Sequence, residues 1–448
     1  MIDDNRRHPR PDTGRNAPSR QDPPAPALLE ALAGRRPRRT PVWFMRQAGR
    51  SLPEYRALRR RAGVSMLDAC LTPALAAQAT VQPVHRHGVD AAVLFSDIVV
   101  PLRLAGVGVR IEPGTGPVIA EPVRGGREVA GLTARSFGDD EAGALGAQAI
   151  GDAVSMVVDE LGSPAAPPRP GAAGAGVWGA GRSGQEHPAF AERRLAGARE
   201  SRGDAGWTPL IGFGGAPFTL AAYLVEGRPS RDHLAARTLM HSDPAAWDAL
   251  MTWCARTTAA FMTAQVHAGA SAVQLFDSWA GSLSPADYRE RVLPYSALTL
   301  RIVSRAMSPT TGRPAPVIHF GTGTARILPE MRRAGAQAVG IDNRTDLVEA
   351  ITALSQDSEG PCPVQGNIDP ALLAAPWEVL GEAVDACLEA GRRAPGHVVN
   401  LGHGVPPSTD PDVLTRIVAR VHGSPGWERT AVDGWESWDD WRDLEDAA

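Results

Sequence analysis

The residues of this chain best suited to chemistry lie where short apolar segments end. The first segment, PVWFMRQAGR at residues 41–50, runs from a strand-like apolar stretch directly into Arg46 and Arg50. Guanidinium groups bind carboxylates and phosphates through paired hydrogen bonds. A helical turn would place residues four apart on one face, with Gly49 between them allowing a close approach. The segment therefore predicts a site for an anion, and a surface ion-pair network is the alternative.

A carboxylate follows the next apolar segment, in LFSDIVVP, where Asp97 ends the predicted strand. An Asp at a strand end can accept N–H donors or stabilise a cation. The alternative is a helix N-cap. We expect Pro101 to break a helix begun here, which disfavours the cap.

Three further segments carry a candidate polar side chain. Ser278 and His403 come just beyond a predicted strand end, and Tyr223 lies two turns into the helix predicted to follow one. Tyr223 lies in GFGGAPFTLAAYLVEG, Ser278 in QLFDSWAGSLSP and His403 in NLGHGVPPSTDP. We interpret Ser278 as a hydrogen-bond donor to an anion, because a nucleophilic serine needs a positioned base and GxSxG is absent. His403 could bind a carboxylate or move a proton near neutral pH. The alternatives are a core tyrosine and a turn histidine.

His319, in VIHFGTG, is the residue that most resembles a metal ligand. A zinc site needs partners, and Gly321 stands where an H-x-C pair would supply a thiolate. We therefore interpret His319 as a core or supporting histidine.

The elements that must position these residues alternate between strand and helix. Eight apolar, β-rich segments are predicted strands, at 41–45, 92–96, 209–214, 272–276, 316–320, 337–341, 363–366 and 397–401. The intervening helices are predicted to open on cap–proline pairs, namely Thr72-Pro73, Asp243-Pro244, Ser284-Pro285 and Asp369-Pro370. This alternation predicts a single-domain (β/α)8 TIM-type barrel, with a doubly wound sheet as the alternative. In a barrel the residues that follow the strands meet at one mouth.

Composition excludes several classes of protein. The 448 residues carry a net charge of −4, so nothing global indicates nucleic acid, and no apolar stretch is long enough to predict a membrane-spanning helix. The chain contains no lysine, and all 46 of its Lys and Arg residues are arginine. The absence of lysine excludes a lysine Schiff base and a Walker-type loop. The four cysteines lack CxxC spacing, which favours a reducing cytoplasmic location.

Three segments fall outside the alternating pattern. Residues 1–38 are rich in Arg, Pro and Asp and are predicted to be a disordered leader. Within the domain at 39–423, a Gly- and Pro-rich insertion at about 162–206 is predicted to be flexible. Residues 424–448 form an acidic tail containing several tryptophans, which we interpret as a solvated tail or as a docking segment.

The same segments carry a family resemblance. PVWFMRQAGRSLPEYR (41–56) and GFGGAPFTLAAYLVEG (212–227) resemble the two signature segments of the uroporphyrinogen decarboxylase family, and LFSDIVVP, QLFDSWAG, VQGNIDP and NLGHGVPP resemble further blocks in the family's order. The resemblance covers roughly 39–423 without the insertion. Ser51 departs from the tyrosine of many relatives.

The resemblance implies a cytoplasmic TIM-barrel homodimer of porphyrin and haem biosynthesis that uses neither cofactor nor metal. Its implied substrate is a tetrapyrrole with eight carboxylates, uroporphyrinogen III, whose four acetate groups become methyl groups with release of CO2. The implied catalytic residues are Asp97, Arg46, Tyr223 and His403. The implied substrate contacts are Arg46, Gln47, Ala48, Gly49, Arg50, Asp97, Tyr223, Ser278 and His403.

The chemistry itself leaves the proton source open. Protonating a pyrrole carbon makes a cationic ring that accepts the electrons released with CO2, and Asp97 would stabilise that cation. Arg46 is one candidate donor, although a guanidinium, with a pKa above about 12, is a poor acid near neutral pH. A water or a substrate acid is the other candidate. Two alternative functions are a zinc-dependent methyltransferase of the same superfamily and a non-catalytic tetrapyrrole carrier.

Overall fold

The structure is a computed structural model that describes residues 24–49, 51–171, 188–357 and 359–423. The strands, in chain order, are β1 (Ala92–Val93), β2 (Val109–Glu112), β3 (Gly116–Ile119), β4 (Leu210–Gly215), β5 (Ala272–Asp277), β6 (Met307–Ser308), β7 (Arg313–Pro314), β8 (Val317–Gly321), β9 (Ala338–Gly340), β10 (Val364–Gln365) and β11 (His397–Val398).

Helices follow or separate these strands along the whole chain. They are α1 (Ala27–Leu32), α2 (Pro53–Ala62), α3 (Met66–Cys70), α4 (Pro73–His87), α5 (Val100–Leu104), α6 (Gly126–Thr133), α7 (Glu141–Leu161), α8 (Pro188–Arg202), α9 (Pro217–Glu226), α10 (Leu234–Ser242), α11 (Pro244–Ala268), α12 (Pro285–Arg291), α13 (Leu293–Val303), α14 (Leu328–Arg333), α15 (Leu347–Ser355), α16 (Trp377–Gly391) and α17 (Pro411–His422). Within the described ranges, none of them combines the length and the apolar character needed to cross a membrane.

One parallel sheet organises the molecule, with the strand order β1-β4-β5-β8-β9-β10-β11. Every neighbouring pair in it is parallel, whereas the pairs β2-β3 and β6-β7 form separate antiparallel hairpins. Each strand predicted from 92–96 onward contains or overlaps one strand of this sheet. Because parallel strands in sequence order need helical crossovers, the α/β class predicted from the sequence is confirmed.

The first predicted strand, residues 41–45, behaves differently from the others. Val42 makes an isolated parallel bridge with Val399, beside β11. On its other side the Val42 carbonyl accepts the N–H of Asp90, just before β1, at 2.8 Å. The sheet is therefore a curled parallel sheet with this segment between its two ends, while a regular, closed (β/α)8 barrel stays a prediction.

The predicted helix starts recur in the structure. Pro73, Pro244 and Pro285 are the first residues of α4, α11 and α12, and Pro370 opens a short 3-10 helix. Proline fits the first turn of a helix because a backbone N–H at that position would have no acceptor within the helix, so its loss costs no hydrogen bond. The long helix α11 buries a face that includes Leu250, Trp253, Thr257 and Phe261.

The leader prediction is wrong for the residues after 23. Helix α1 buries Leu28, Ala31 and Leu32, which are each at most 2% exposed. These residues are spaced i, i+3 and i+4, so the segment is a short amphipathic helix. The Arg- and Pro-rich composition around it concealed this local period. Residues 1–23 lie outside the described part.

The insertion prediction also needs correction, because α8 lies within it and packs on α4. Gly197 of α8 comes so close to α4 that a Cβ there would lie 2.1 Å from the His85 carbonyl oxygen. Near the end of α8, Glu200 accepts hydrogen bonds from Arg39 and His422. Residues 172–187 of the insertion and the tail at 424–448 lie outside the described residues.

A charged cluster joins this helix to both ends of the domain. His422, at the end of α17, lies 2.8 Å from Asp90 and 2.8 Å from Glu200, and Arg39 contacts Asp90 at 2.6 Å. Burial alone would lower the pKa of His422, but the Asp90 and Glu200 carboxylates raise it above its ordinary value. The cluster thus links residues from four distant parts of the sequence.

Candidate active site

The candidate site is built from the loops that follow the parallel strands. The segment after residues 41–45 supplies Arg46, and the loops after β1, β5 and β11 supply Asp97, Ser278 and His403. Tyr223 comes from α9, directly after β4. Because the carboxyl ends of parallel strands lie at one edge of a sheet, these side chains belong to one end of the molecule.

Arg46 lies in a turn and not in the helical turn considered above. Its backbone is left-handed, with a φ of 62°, and its side chain is exposed. The turn is fixed by Met45, whose N–H donates to Asn400 Oδ1 at 3.0 Å and whose carbonyl accepts the N–H of Val405 at 2.8 Å. Both partners flank His403, so the first loop and the last loop are joined side by side.

The glycines around His403 explain how closely the loops approach. A Cβ on Gly404 would lie 2.5 Å from Cδ of Arg46, and a Cβ on Gly402 would lie 2.0 Å from the backbone nitrogen of Asn343. A side chain at Gly402 would collide with backbone, and a side chain at Gly404 would fit only if Arg46 moved. The GHG sequence thus places His403 between the loop of Arg46 and the loop after β9.

The side chain of Gln47, which was expected to contact the substrate, is instead used within the protein. Its side chain is fully buried, with Oε1 accepting the Phe44 N–H at 2.9 Å and Nε2 donating to the Ala91 carbonyl at 2.9 Å. Both ends of the amide are therefore used within the protein. Gln47 ties the first loop to the chain entering β1, whereas Ala48 is half-buried, Gly49 is buried and Arg50 lies outside the described residues.

Asp97 is half-buried in a tight turn. Its Oδ1 accepts the N–H of Val99 at 3.0 Å, and its carbonyl accepts the N–H of Val100. A short helix, α5, does begin at Val100, so the expectation that Pro101 would prevent one is wrong. Proline in a first helical turn costs no hydrogen bond. Asp97 lies outside that helix and does not cap it.

Tyr223 is buried in α9, with 8% of its surface exposed. Burial is the main cause that raises the pKa of its phenol, and the nearby Asp97 carboxylate raises it further, whereas Arg46 opposes the shift. The phenol is therefore a neutral hydrogen-bond donor near pH 7.

An aromatic stack supports Tyr223 and was missed by sequence reasoning. The Trp279 ring centroid lies 4.0 Å from that of Tyr223 and 4.5 Å from that of His233. His233 has a left-handed backbone with a φ of 49°, and its Nδ1 lies 3.2 Å from Ser282 Oγ. The only sequence signal was the tryptophan directly after Ser278.

Ser278 is half-buried at the start of the turn after β5. Its carbonyl accepts a hydrogen bond from Thr322 at 2.7 Å. The preceding Asp277 is fully buried, with Oδ1 accepting from Thr219 at 3.2 Å and Oδ2 lying 3.6 Å from His319 Nε2. These contacts of Asp277 and of the Ser278 carbonyl fix the position of the turn that carries the Ser278 side chain.

His319 is a core histidine in this structure. It is fully buried, between the Asp277 carboxylate and the Met331 carbonyl, 3.4 Å from its Nδ1. Among residues 24–49, 51–171, 188–357 and 359–423, no three His, Cys, Asp or Glu side chains are grouped as a metal site requires.

His403 keeps an exposed side chain in the site. Partial desolvation of its ring lowers its pKa, and the Arg46 and Arg344 guanidinium groups lower it further, while Asp342 opposes them. Near pH 7 the imidazole is therefore neutral. It can donate one hydrogen bond and accept another.

Fold and site together define the class of this protein as an α/β enzyme with its polar site at the carboxyl ends of parallel strands. A methyltransferase from Methanosarcina mazei has a similar fold, with a TM-score of 0.61 over 88% of this chain and 97% of that protein. At 15% identity this likeness concerns the fold alone.

Sequence comparison identifies the particular family. The family model described as uroporphyrinogen decarboxylase (URO-D) matches residues 23–175 and 198–424. A uroporphyrinogen decarboxylase from an Arthrobacter species is 51% identical, covering 88% of this chain and 96% of its own length. One from Leifsonia xyli is 50% identical, covering 89% of this chain and 94% of its own length. The chain belongs to the uroporphyrinogen decarboxylase family, and the resemblance noted from the sequence is confirmed.

Proposed function

We propose that this protein removes the four acetate carboxyl groups of uroporphyrinogen III, giving coproporphyrinogen III and CO2. The observation that carries the proposal is the 51% identity to a curated uroporphyrinogen decarboxylase over most of the chain. The composition supports it, because a lysine-free chain cannot form the Schiff base on which many other decarboxylations depend.

The reaction needs a cation to form in the substrate. A proton adds to the pyrrole carbon next to the acetate, and the ring becomes cationic. The C–C bond to the carboxylate then breaks, CO2 leaves, and the bonding electrons neutralise the ring. A second proton converts the resulting methylene carbon to a methyl group, and the ring carbon then loses the proton that was added first. Each cycle thus consumes one proton and replaces one carboxylate by hydrogen. Stabilising the intermediate cation is the main task of the protein.

Asp97 is proposed to perform that task. Its carboxylate would accept pyrrole N–H groups and would stabilise the cation by direct electrostatic attraction. The turn that orients it is held by the Val99 N–H, which donates to one carboxylate oxygen. Tyr223 would donate a hydrogen bond from a phenol that burial keeps protonated.

The peripheral carboxylates of the substrate are proposed to meet Arg46, Arg50, Ser278 and His403. Arg46 is exposed, and within the described ranges no carboxylate of the protein forms an ion pair with it, so its guanidinium is available to an incoming anion. Gln47, Ala48 and Gly49 would act by shaping the turn that carries Arg46. Two candidates for the proton donor remain open. One is Arg46, and the other is a water molecule or an acid group of the substrate.

Three finer expectations belong to the same proposal. We infer that the 41–45 segment completes a closed, eight-stranded barrel. We also infer that the protein is a homodimer. The third inference is that it works in the cytoplasm without cofactor or metal. The two-sided hydrogen bonding of Val42 supports the first of these. Light scattering in solution tests the second, since a monomeric mass would contradict it.

The decisive experiment incubates the protein with anaerobically reduced uroporphyrin and separates the products by chromatography. We expect a shift from eight carboxylates to four. Bound but unconverted substrate would support a carrier instead. Stoichiometric zinc, found by metal analysis of an inactive protein, would favour the methyltransferase alternative.

The Asp97→Asn variant tests the proposed role of the carboxylate. We expect kcat to fall on the order of 10²-fold or more, as for loss of one preorganised electrostatic group, with KM changed much less. Normal turnover by this variant would contradict the electrostatic role.

A further inference from the structure

Arg344 follows β9 and is held at its base by a buried carboxylate. Asp342 is 1% exposed and accepts the Gly323 N–H at 2.6 Å, the Thr345 hydroxyl at 2.6 Å and the Nε of Arg344 at 3.2 Å. Only Nε of the guanidinium is engaged by these contacts, while the Arg344 side chain is 66% exposed. One terminal nitrogen, Nη2, lies near Gly323, where a Cβ would be 3.3 Å from it. Because most of the side chain is exposed, an anion can still reach the guanidinium.

The loop of Arg344 belongs to the same rim as the loops of Arg46 and His403. Gly402 packs against the backbone of Asn343, the residue before Arg344, while Gly404 packs against the Arg46 side chain. His403 thus lies between two loops, one carrying Arg46 and the other carrying Arg344. The electrostatic influence of both arginines on His403 agrees with this arrangement.

The charge balance of this rim favours an anionic ligand. Asp342 is the carboxylate that pairs with Arg344, and its charge is shared among three donors. Arg46 adds a second positive charge, and the neutral His403 adds none. A substrate with eight carboxylates needs several such positions around its edge.

We propose that Arg344 forms a carboxylate subsite for the substrate, beside His403, and that it binds one of the carboxylates that remain in the product. This inference rests on the function proposed above. Asp97 and Tyr223 are half-buried and buried, so the reacting acetate must lie deep in the site. An exposed arginine at the rim is placed to hold a group that does not react. Asp342 acts through Arg344 as a positioning residue.

The subsite makes a specific kinetic prediction for Arg344→Gln. A carboxylate that survives the reaction is bound at every stage, so KM should rise roughly tenfold for uroporphyrinogen and for its partly decarboxylated intermediates alike. The inhibition constant of the product, coproporphyrinogen, should rise by the same factor, while kcat stays near the wild-type value. Higher salt should reduce the difference between variant and wild type. Arg344→Lys should restore part of the affinity. It keeps the positive charge but loses the planar guanidinium that can bind a carboxylate through two parallel hydrogen bonds.

Arg392→Gln is the matched control, because Arg392 is also exposed and also pairs with one carboxylate, that of Glu389. It lies at the end of α16, away from the proposed rim. It should leave all three constants unchanged. A melting temperature close to wild type for Arg344→Gln would confirm that Asp342 still holds Gly323 and Thr345.

Two results would overturn the inference. In one, Arg344→Gln leaves KM and product inhibition at wild-type values. In the other, KM rises while product inhibition does not, which would assign Arg344 to a reacting acetate. Fluorescence titration with oxidised uroporphyrin measures the same subsite without turnover. A wild-type protein that binds this porphyrin more tightly than the variant but decarboxylates nothing would refute the proposed function and leave the subsite standing.

Discussion

Replacing Gly404 by alanine should damage catalysis without unfolding the protein. The added Cβ would lie 2.5 Å from Cδ, 2.8 Å from Cγ and 3.1 Å from Nε of Arg46. Carbon atoms in contact are normally about 3.5–4.0 Å apart, so the Arg46 side chain must move by about 1 Å or more. A displacement of about 1 Å in a positioning group can cost about 10²-fold in rate, which corresponds to about 2.7 kcal/mol in activation free energy.

The assay is kcat/KM for reduced uroporphyrinogen under anaerobic conditions, together with the melting temperature. We expect a fall of about 10²-fold with little change in melting, because the obstructed atoms belong to a flexible, exposed side chain. Gly131→Ala is the matched control, since nothing lies within 4 Å of its Cβ position in α6. In an Arg46→Ala background, Gly404→Ala should have no further effect. A Gly404→Ala variant that keeps kcat/KM within about twofold of wild type would contradict the predicted displacement of Arg46.

Three other perturbations address the supporting structure. The stabilisation by the raised pKa of His422 is complete below its ordinary pKa, about 6.5, and is lost as the pH rises through its folded-state pKa. The melting-temperature difference between wild type and His422→Gln should therefore shrink with rising pH, and a constant difference would contradict the charged cluster. Gly197→Ala should lower stability by about 1–3 kcal/mol in denaturant titration, because its Cβ meets the His85 carbonyl, and unchanged stability would mean that α8 does not pack on α4. Trp279→Ala should lower kcat by up to about tenfold, since it removes the ring stacked on Tyr223, and an equal loss in a Tyr223→Phe background would show that the stack acts elsewhere.

The regular parts of the fold were predictable because they depend on local signals. The segments at 272–276 and 316–320 are apolar except for Gln274 and His319. They overlap β5 and β8, which are strands buried inside a parallel sheet. Pro244 after Asp243 fixed the start of α11 through a cap that needs only neighbouring residues. The helix α1 was missed because six residues of amphipathic sequence are too short to stand out from a charged, proline-rich background.

The site was predictable as a set of residues and not as an arrangement. Strand-end positions drew attention to Asp97, Ser278 and His403, and the structure places each in a loop that follows a parallel strand. Gln47 was expected to contact the substrate because of the family resemblance, yet its amide bonds to groups such as the Ala91 carbonyl, which is 44 residues away in sequence. The stacking of Trp279 on Tyr223 likewise joins two elements that no local pattern connects.

The protonation state of His403 divides the work of the site between charge and hydrogen bonding. Desolvation and the Arg46 guanidinium lower its pKa, so near pH 7 the positive charge of the rim comes from arginine. Arginine keeps that charge at any pH at which the protein is folded, whereas a charged histidine would lose it near neutrality. Under the proposed function, substrate carboxylates would meet these permanent cations at the rim, while the cation that forms during the reaction is proposed to lie against Asp97. A carboxylate beside the pyrrole ring favours its protonation, whereas a fixed positive charge in the same place would raise the barrier, because like charges repel in a small, partly dry site.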